Sequence, residues 1–184
     1  MSLPSLLLHC CCAPCTTSVM EILLPDYKIT LLFYNPNIEP FDEYGKRAAE
    51  MKKISNGLDL IISDYNEADF EAIAAKYPDE PEGGERCKAC FELRLKKTAQ
   101  FAFENGFEYF TTTLSVSPHK NAVLLNDIGK KLSNECKENR VRFGTQFLCA
   151  DFKKRDGYKR SIELSKRSGI YRQIYCGCRH SKRN

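Results

Sequence analysis

An α/β fold, with a mostly parallel sheet covered by helices on both faces, is what this sequence predicts, and three observations predict it. Short apolar runs of strand length alternate with stretches that carry apolar residues at helical spacing. Two of the helical stretches stop at a glycine, where helix C-termini commonly end. Residues with evident chemistry collect directly after the apolar runs, and in parallel sheets ligands bind beyond the carboxyl ends of the strands.

The elements follow in order. Ser5–His9 reads as a buried strand, and residues 16–24 as a helix with Val19, Ile22 and Leu23 on one stripe. Pro14 stands near that helix's first turn, where a missing N–H costs nothing. Residues 28–34 (KITLLFY) form a second strand, rich in β-branched and aromatic side chains. Residues 42–56 repeat Tyr44, Ala48, Met51 and Ile54 before stopping at Gly57, and residues 58–63 make a third strand. Residues 90–105 place Phe91, Leu95, Ala99, Ala102 and Phe103 on a helix that stops at Gly106, followed by a strand at 107–113. Residues 121–136 carry Leu124, Ile128 and Leu132, and a weaker fifth strand lies around 143–149. No repeat, low-complexity tract or linker interrupts the pattern. Residues 1–184 are therefore expected to form a single α/β domain, Rossmann-like in architecture, ending in a basic, cysteine-containing segment from about 151 to 184.

The chain has 184 residues, 42% hydrophobic and 28% charged, enough to bury a substantial core and ordinary for a globular protein. Its first eight residues lack a basic leader, and the apolar stretch 3–8 is too short for a signal peptide. No run approaches the length of a membrane span, so no membrane partner is expected. In the reducing cytoplasmic setting this implies, the ten cysteines read as metal-binding or catalytic rather than as a disulfide scaffold. Net charge is +4, unevenly spread. From Lys153 onward eleven Lys/Arg face only Asp156 and Glu163, a net +9, which leaves −5 for residues 1–152. Such a block is either a solvated helix face or a surface for a polyanion. Tyr158, Tyr171 and Tyr175 interleave with the charges as stacking platforms, which favours RNA.

The cysteines are the densest signal. His9-Cys10-Cys11-Cys12-Ala13-Pro14-Cys15 follows the first strand; Cys87-Lys-Ala-Cys90 and Cys176-Gly-Cys178 stand far away in sequence. The two C-x2-C pairs have the spacing that lets two thiolates reach one metal, zinc or an iron–sulfur cluster. Adjacent Cys11 and Cys12 suit a cluster better than a zinc knuckle. Isolated Cys136 and Cys149 read as inert. Cys12-Ala-Pro-Cys15, between a strand and a helix, also looks like a thioredoxin site, where the helix N-terminus stabilises a thiolate. A thiol–disulfide oxidoreductase would need that pair alone, however, and three cysteine sets are present here. Cys176-Gly-Cys178 is too tight for two relaxed ligands of one zinc. It reads as a redox pair, closing a strained and readily reduced disulfide, or as two thiols offered to a second metal.

Read together, these motifs resemble the epoxyqueuosine reductases of the QueH type. The resemblance runs through His9-x-Cys11-Cys12-Ala-Pro-Cys15, Phe33-Tyr34-Asn35-Pro36-Asn37-Ile38 and Glu80-Pro-Glu-Gly-Gly-Glu-Arg86-Cys87-x-x-Cys90. It continues through Thr111-Thr-Thr-Leu-x-x-Ser117-Pro-His-Lys120-Asn121, Asp151-Phe-Lys-Lys-x-Asp156-Gly-Tyr158 and Tyr171-Arg172-Gln173-x-Tyr175-Cys176-Gly-Cys178. The resemblance implies a cobalamin-independent oxidoreductase that reduces the epoxide of epoxyqueuosine, at the wobble position of a tRNA anticodon, to queuosine. It further implies a 4Fe-4S cluster on Cys11, Cys12, Cys87 and Cys90, and leaves room for a second, mononuclear iron. Cys10 is the weakest ligand candidate of its triple, and Cys15 stands ready to replace one of the four. Cys176 and Cys178 are implied as a redox-active pair or as ligands of the second iron.

Turning an epoxide into an alkene removes one oxygen and consumes two electrons and two protons. A Lewis-acidic iron suits the developing alkoxide, and His119, Tyr158 and Asp151 are candidate proton donors. Each has a plainer alternative: a helix cap or phosphate contact for His119, stacking for Tyr158, a turn cap for Asp151. His9 is expected to be structural and His180 solvated. Lys153, Lys154, Lys159, Arg160 and Arg172 are the candidate tRNA phosphate contacts, and Asn35, Asn37 and Asn121 stand where they would read a base edge. An electron donor must also exist, whose identity the sequence does not name, and a monomer is expected. By analogy the fold looks like the adenine-nucleotide α-hydrolase (HUP-like) group. That group carries a glycine-rich phosphate loop where this chain has cysteines, so no use of ATP is expected, and hydrolysis dependent on Thr16 or Ser18 would contradict this. The remaining alternative, a zinc-stabilised RNA-binding module, would be colourless.

Overall fold

The structure, a computed structural model, describes residues 2–138 and 144–182, with 136–138 described by their backbone alone. Five strands form one sheet: β1 (Ser5–His9), β2 (Lys28–Phe33), β3 (Leu60–Ile62), β4 (Tyr109–Thr112) and β5 (Gln146–Phe147), in the order β3-β2-β1-β4-β5. Every pairing is parallel. The chain winds outward from β1 to β3, then crosses to the other side for β4 and β5. The reversal therefore falls between β1 and β4, the place where doubly wound sheets open a crevice. The expected fold class is the observed one.

Leu6, Leu7 and Leu8 are each 0% exposed, so central β1 is apolar on both faces rather than alternating. Right-handed crossovers put α1 (Ala13–Leu23) and α2 (Phe41–Ser55) on one face of the sheet. After α3 (Ala68–Ala74), the long α4 (Glu85–Glu104) and α5 (Ala122–Glu138) cover the other face and pack on each other, while α6 (Gly157–Arg167) lies on α1. Gly57, at φ +86, follows the left-handed Asn56 and turns the chain out of α2, as the sequence predicts.

The sequence reading differs from the structure mainly at element starts. Helix α1 begins at Ala13, directly after the extended Cys12, so Pro14 and Cys15 lie in its first turn. Helix α4 begins at Glu85 rather than 90, because the Glu80 carboxylate accepts the Glu85 N–H at 2.8 Å and starts the helix early. Both Cys87 and Cys90 are thus helical. The short α3 was not foreseen, nor was α6 resolved from the basic tail. Strand β5 pairs only through Gln146 and Phe147. Residue 143, Arg183 and the side chain of Cys136 lie outside the described residues. Among the described residues no helix is long and apolar enough to cross a membrane.

Candidate active site

The site is built on the carboxyl edge of β1, β2 and β4. His9, 0% exposed, ties the three strand ends together: its ring nitrogens lie 2.8 Å from Thr112 Oγ1 and 3.1 Å from the Tyr34 carbonyl oxygen. A carbonyl only accepts, so Nε2 carries the proton and Nδ1 accepts from the Thr112 hydroxyl. Burial, and then the nearby Arg94 charge, lower the His9 pKa to about 4 and keep the ring neutral. Cys10 is also fully buried; its thiol donates to the Leu8 carbonyl at 3.2 Å and burial pushes its pKa far up.

The next three cysteines behave differently. The sulfurs of Cys11, Cys12 and Cys15 lie within 4.8 Å of one another. Extended backbone at Cys12, followed at once by the first turn of α1, folds Cys15 back beside its neighbours. Cys11 is the sulfur of the three whose pKa is lowered. Hydrogen bonds from the Cys12 and Cys15 thiols hold its pKa well below the ordinary thiol value, against its burial, and the Lys120 charge and the Thr113 hydroxyl (3.2 Å from Sγ) add to them. The hydrogen bond to Cys11 pushes Cys12 up to about 12, and the hydrogen bonds to Cys11 and Cys12 raise Cys15 well above the ordinary thiol value. A thioredoxin-like site would instead lower the first cysteine of Cys12-x-x-Cys15.

A second group comes from α4 and the C-terminal segment. Cys87, Cys90 and Arg94, at i, i+3 and i+7, share one face of α4. The Gly83 N–H donates to Cys87 Sγ at 3.2 Å, and burial pushes Cys90 to about 12. Opposite stand Cys176 and Cys178, free thiols in the structure. Arg47 holds this segment: Nη1 donates to the Cys176 carbonyl at 2.9 Å and Nη2 to the Tyr175 carbonyl at 3.3 Å. Gly177 sits at φ +138, and a Cβ there would meet Ile38 Cγ1 at 2.9 Å, so only glycine fits between the two cysteines.

Two neighbouring cavities result. One is lined by Cys87, Cys90, Cys176 and Cys178 with Asn37 and His180. The other, a cleft of 420 Å³, is lined by Cys11, Cys12, Cys15, Cys176, His119, Lys120, Tyr158 and Arg172. Arg94 and Cys176 line both. The cysteine sets read from the sequence do converge, but as two groups joined at Arg94 and Cys176, with Cys15 grouped beside Cys11 and Cys12. His180, expected to be solvated, is half-buried, and its Nε2 faces no protein partner.

The other sequence candidates divide. His119 is exposed at the cleft, and Tyr158 stands there with the Arg172 guanidinium 5.2 Å over its ring. Asp151 instead pairs with Lys153 at 2.9 Å and lines a separate cleft that also contains Lys154 and Arg160. Asn35 uses both ends of its amide inside the protein, donating to the Cys10 carbonyl at 2.9 Å and accepting from Arg94 at 3.1 Å. Asn121 accepts from the Val123 and Leu124 N–H groups and caps α5, while buried Asn37 leaves its Oδ1 without a partner. Arg160 is tied to Glu21 at 2.8 Å.

Sequence reading passed over Arg94 and Lys120. Burial works against the Lys120 charge, yet the neighbouring sulfurs of Cys176 and Cys11 outweigh it and hold the ammonium above its ordinary value. Arg94 would have been legible as the i+7 partner of Cys87, had the early start of α4 been recognised. Sulfur ligands flanked by fixed cations can hold a soft metal and keep its thiolates charged.

Comparison with known proteins shows the family of the chain. A family model described as epoxyqueuosine reductase QueH matches residues 6–184. The Epoxyqueuosine reductase QueH of Streptococcus pyogenes serotype M1 is 42% identical over 183 residues, covering 95% of this chain and 69% of that relative. The relatives of the same name from Staphylococcus epidermidis (40% identity; 95% of this chain, 75% of the relative) and Thermotoga maritima (38%; 95% and 88%) are similar over comparable lengths.

Proposed function

Because the chain belongs to the epoxyqueuosine reductase QueH family, an oxidoreductase family, we propose that it reduces the epoxide of epoxyqueuosine, at the wobble position of tRNA, to the alkene of queuosine. The observation that carries this reading is the meeting of Cys11, Cys12, Cys15 and Cys176 with the Lys120 cation in one cleft open to solvent. The reaction removes the epoxide oxygen as water and takes up two electrons and two protons. A site for it needs an electron store, proton donors and a cationic surface for RNA.

The donor set suits a sulfur-ligated metal: three thiols lie within reach of one ion, and the Arg94 guanidinium is buried without an anion. In this reading Cys11, Cys12, Cys87 and Cys90 hold a 4Fe-4S cluster, with Cys15 an alternative ligand, and Cys176 and Cys178 serve as a redox pair or hold a second, mononuclear iron. Bound there, the cluster would supply electrons singly and the second iron a Lewis acid.

The chain's own residues do the rest. His119 and Tyr158 line the cleft and are placed to give protons to the departing oxygen. Asp151 serves by fixing the Lys153 ammonium. Arg172 stacked on Tyr158, together with fully exposed Ile174, forms a rim against which a splayed-out anticodon base can lie. Lys153 and Lys154, in the turn that precedes α6, and Lys159, in its first turn, serve as phosphate contacts. The electron donor is a separate partner, and a cytoplasmic monomer is the state proposed. The test is anaerobic incubation of the iron-loaded protein with epoxyqueuosine-containing tRNA and a chemical reductant, followed by nucleoside analysis. Queuosine is expected; unchanged epoxyqueuosine from iron-loaded protein contradicts the reading.

A further inference from the structure

Arg94 is among the largest fully buried side chains of the molecule, 2% exposed, and has no carboxylate partner among the described residues. One nitrogen, Nη1, donates to Asn35 Oδ1 at 3.1 Å; Nε and Nη2 are buried with no hydrogen-bond partner. A buried, uncompensated guanidinium with two bare donor nitrogens is strongly destabilising unless an anion completes it. Anchoring α4 to the β2 loop would need only the Asn35 hydrogen bond, and a neutral side chain could make it.

The surroundings say which anion belongs there. Arg94 lines both cysteine cavities, the one with Cys87, Cys90, Cys176 and Cys178 and the one with Cys11, Cys12 and Cys15. The sole carboxylate lining either cavity is that of Glu82, which is exposed and forms no ion pair with Arg94 among the described residues. Sulfur is what remains.

We infer that Arg94 is a positioning residue for the redox centre: its fixed charge and its Nε–H and Nη2–H donors compensate metal-bound thiolate sulfur where the two cysteine groups meet. This inference rests on the metal centre proposed above. A fixed cation beside a centre favours its more negative, reduced state. Arg94 therefore raises the reduction potential of the centre and eases loading by a weak reductant.

The experiment is anaerobic redox titration of iron-loaded wild-type, R94K, R94Q and R94M proteins, followed by visible absorbance, with iron and sulfide measured on each. The neutral variants R94Q and R94M should be reduced at least tenfold less readily than wild type, a downward shift of about 59 mV for a one-electron couple, and R94K should recover more than half of that shift. Loaded R94Q and R94M with the wild-type potential would overturn the inference, as would R94K shifted as far as R94M. Should the neutral variants fail to load, retention of iron by R94K supports the need for charge, and a folded but iron-free R94K refutes it. An iron-free wild-type protein would instead defeat the metal reading itself, so the two failures are distinguishable.

Discussion

Arg47 on α2 donates from Nη1 to the main-chain carbonyl of Cys176 at 2.9 Å, linking residues 129 positions apart. The same guanidinium pairs through Nε with Glu43 at 2.7 Å, with side-chain exposures of 2% and 9%. Glu43 accepts from the Tyr171 hydroxyl at 3.0 Å, and Glu50, further along α2, accepts the Tyr171 N–H at 3.1 Å. One stripe of α2 therefore clamps the segment that carries Cys176 and Cys178 beside the other cysteines.

Removing the clamp should cost both stability and function. R47M leaves the Glu43 carboxylate buried and two carbonyls unpartnered, so a loss of about 3 kcal/mol is expected from chemical denaturation. Faster alkylation of Cys176 in the native protein should accompany it. Unchanged stability and unchanged alkylation would mean that the clamp does not position the segment.

The cysteines should separate by place rather than by sequence proximity. C11A and C12A should each abolish bound iron, and C15A should lower it less, because Cys15 stands beside them as an alternative ligand. C10A should retain iron, since that thiol donates to the Leu8 carbonyl, and C149A should retain it because Cys149 is exposed away from both cavities. Iron fully retained in C11A or C12A, or absent from C10A, would contradict this assignment.

How much of this was legible in the sequence depends on the range of the interaction. Strands β1, β2 and β4 were legible because continuous apolar runs mark strands buried on both faces; the three cysteine sets were legible as converging, but their division into two groups was not, because Cys87 and Cys90 lie on α4 and Cys176 and Cys178 on the C-terminal segment rather than at strand ends. Asn35 looked like a base reader and turned out to be a bridge between Arg94 and the Cys10 carbonyl. Asp151 looked central and instead pairs with Lys153. The hydrogen bond from Arg47 to Cys176 joins remote segments through a main-chain carbonyl, and carbonyls leave no trace in residue identity. Helix α3 escaped because its seven residues are too few to show a helical period.

Acid should loosen the C-terminal segment. Burial raises the Glu50 pKa, but the Lys53 ammonium and the Tyr171 N–H more than offset this and hold the carboxyl below its ordinary 4.5. A depressed carboxyl pKa contributes stability that is present above the unfolded value and disappears as pH falls through the folded one. Wild type should therefore exceed E50Q in stability near neutral pH, and the gap should close below about pH 4.5. A gap that stays constant on acidification would show that Glu50 ionisation plays no such part.

Binding of tRNA should divide by salt dependence. K154E should weaken binding and flatten its dependence on salt, by about 0.7–0.9 in slope for each phosphate that is no longer neutralised. R172A should weaken binding by removing stacking as well as charge, since Arg172 covers the Tyr158 ring. K153E acts on a lysine already paired with Asp151 and should have the smaller effect. Equal affinities and slopes for K154E and wild type would remove the turn that precedes α6 from the RNA surface.

The measurement that bears most directly on the central claim is iron and acid-labile sulfide analysis of protein purified and reconstituted without oxygen. The account predicts a brown protein carrying about four iron and four sulfide per cluster, bleached by dithionite and depleted by C11A and C90A alike. A colourless protein holding zinc, or no metal at all, would contradict it.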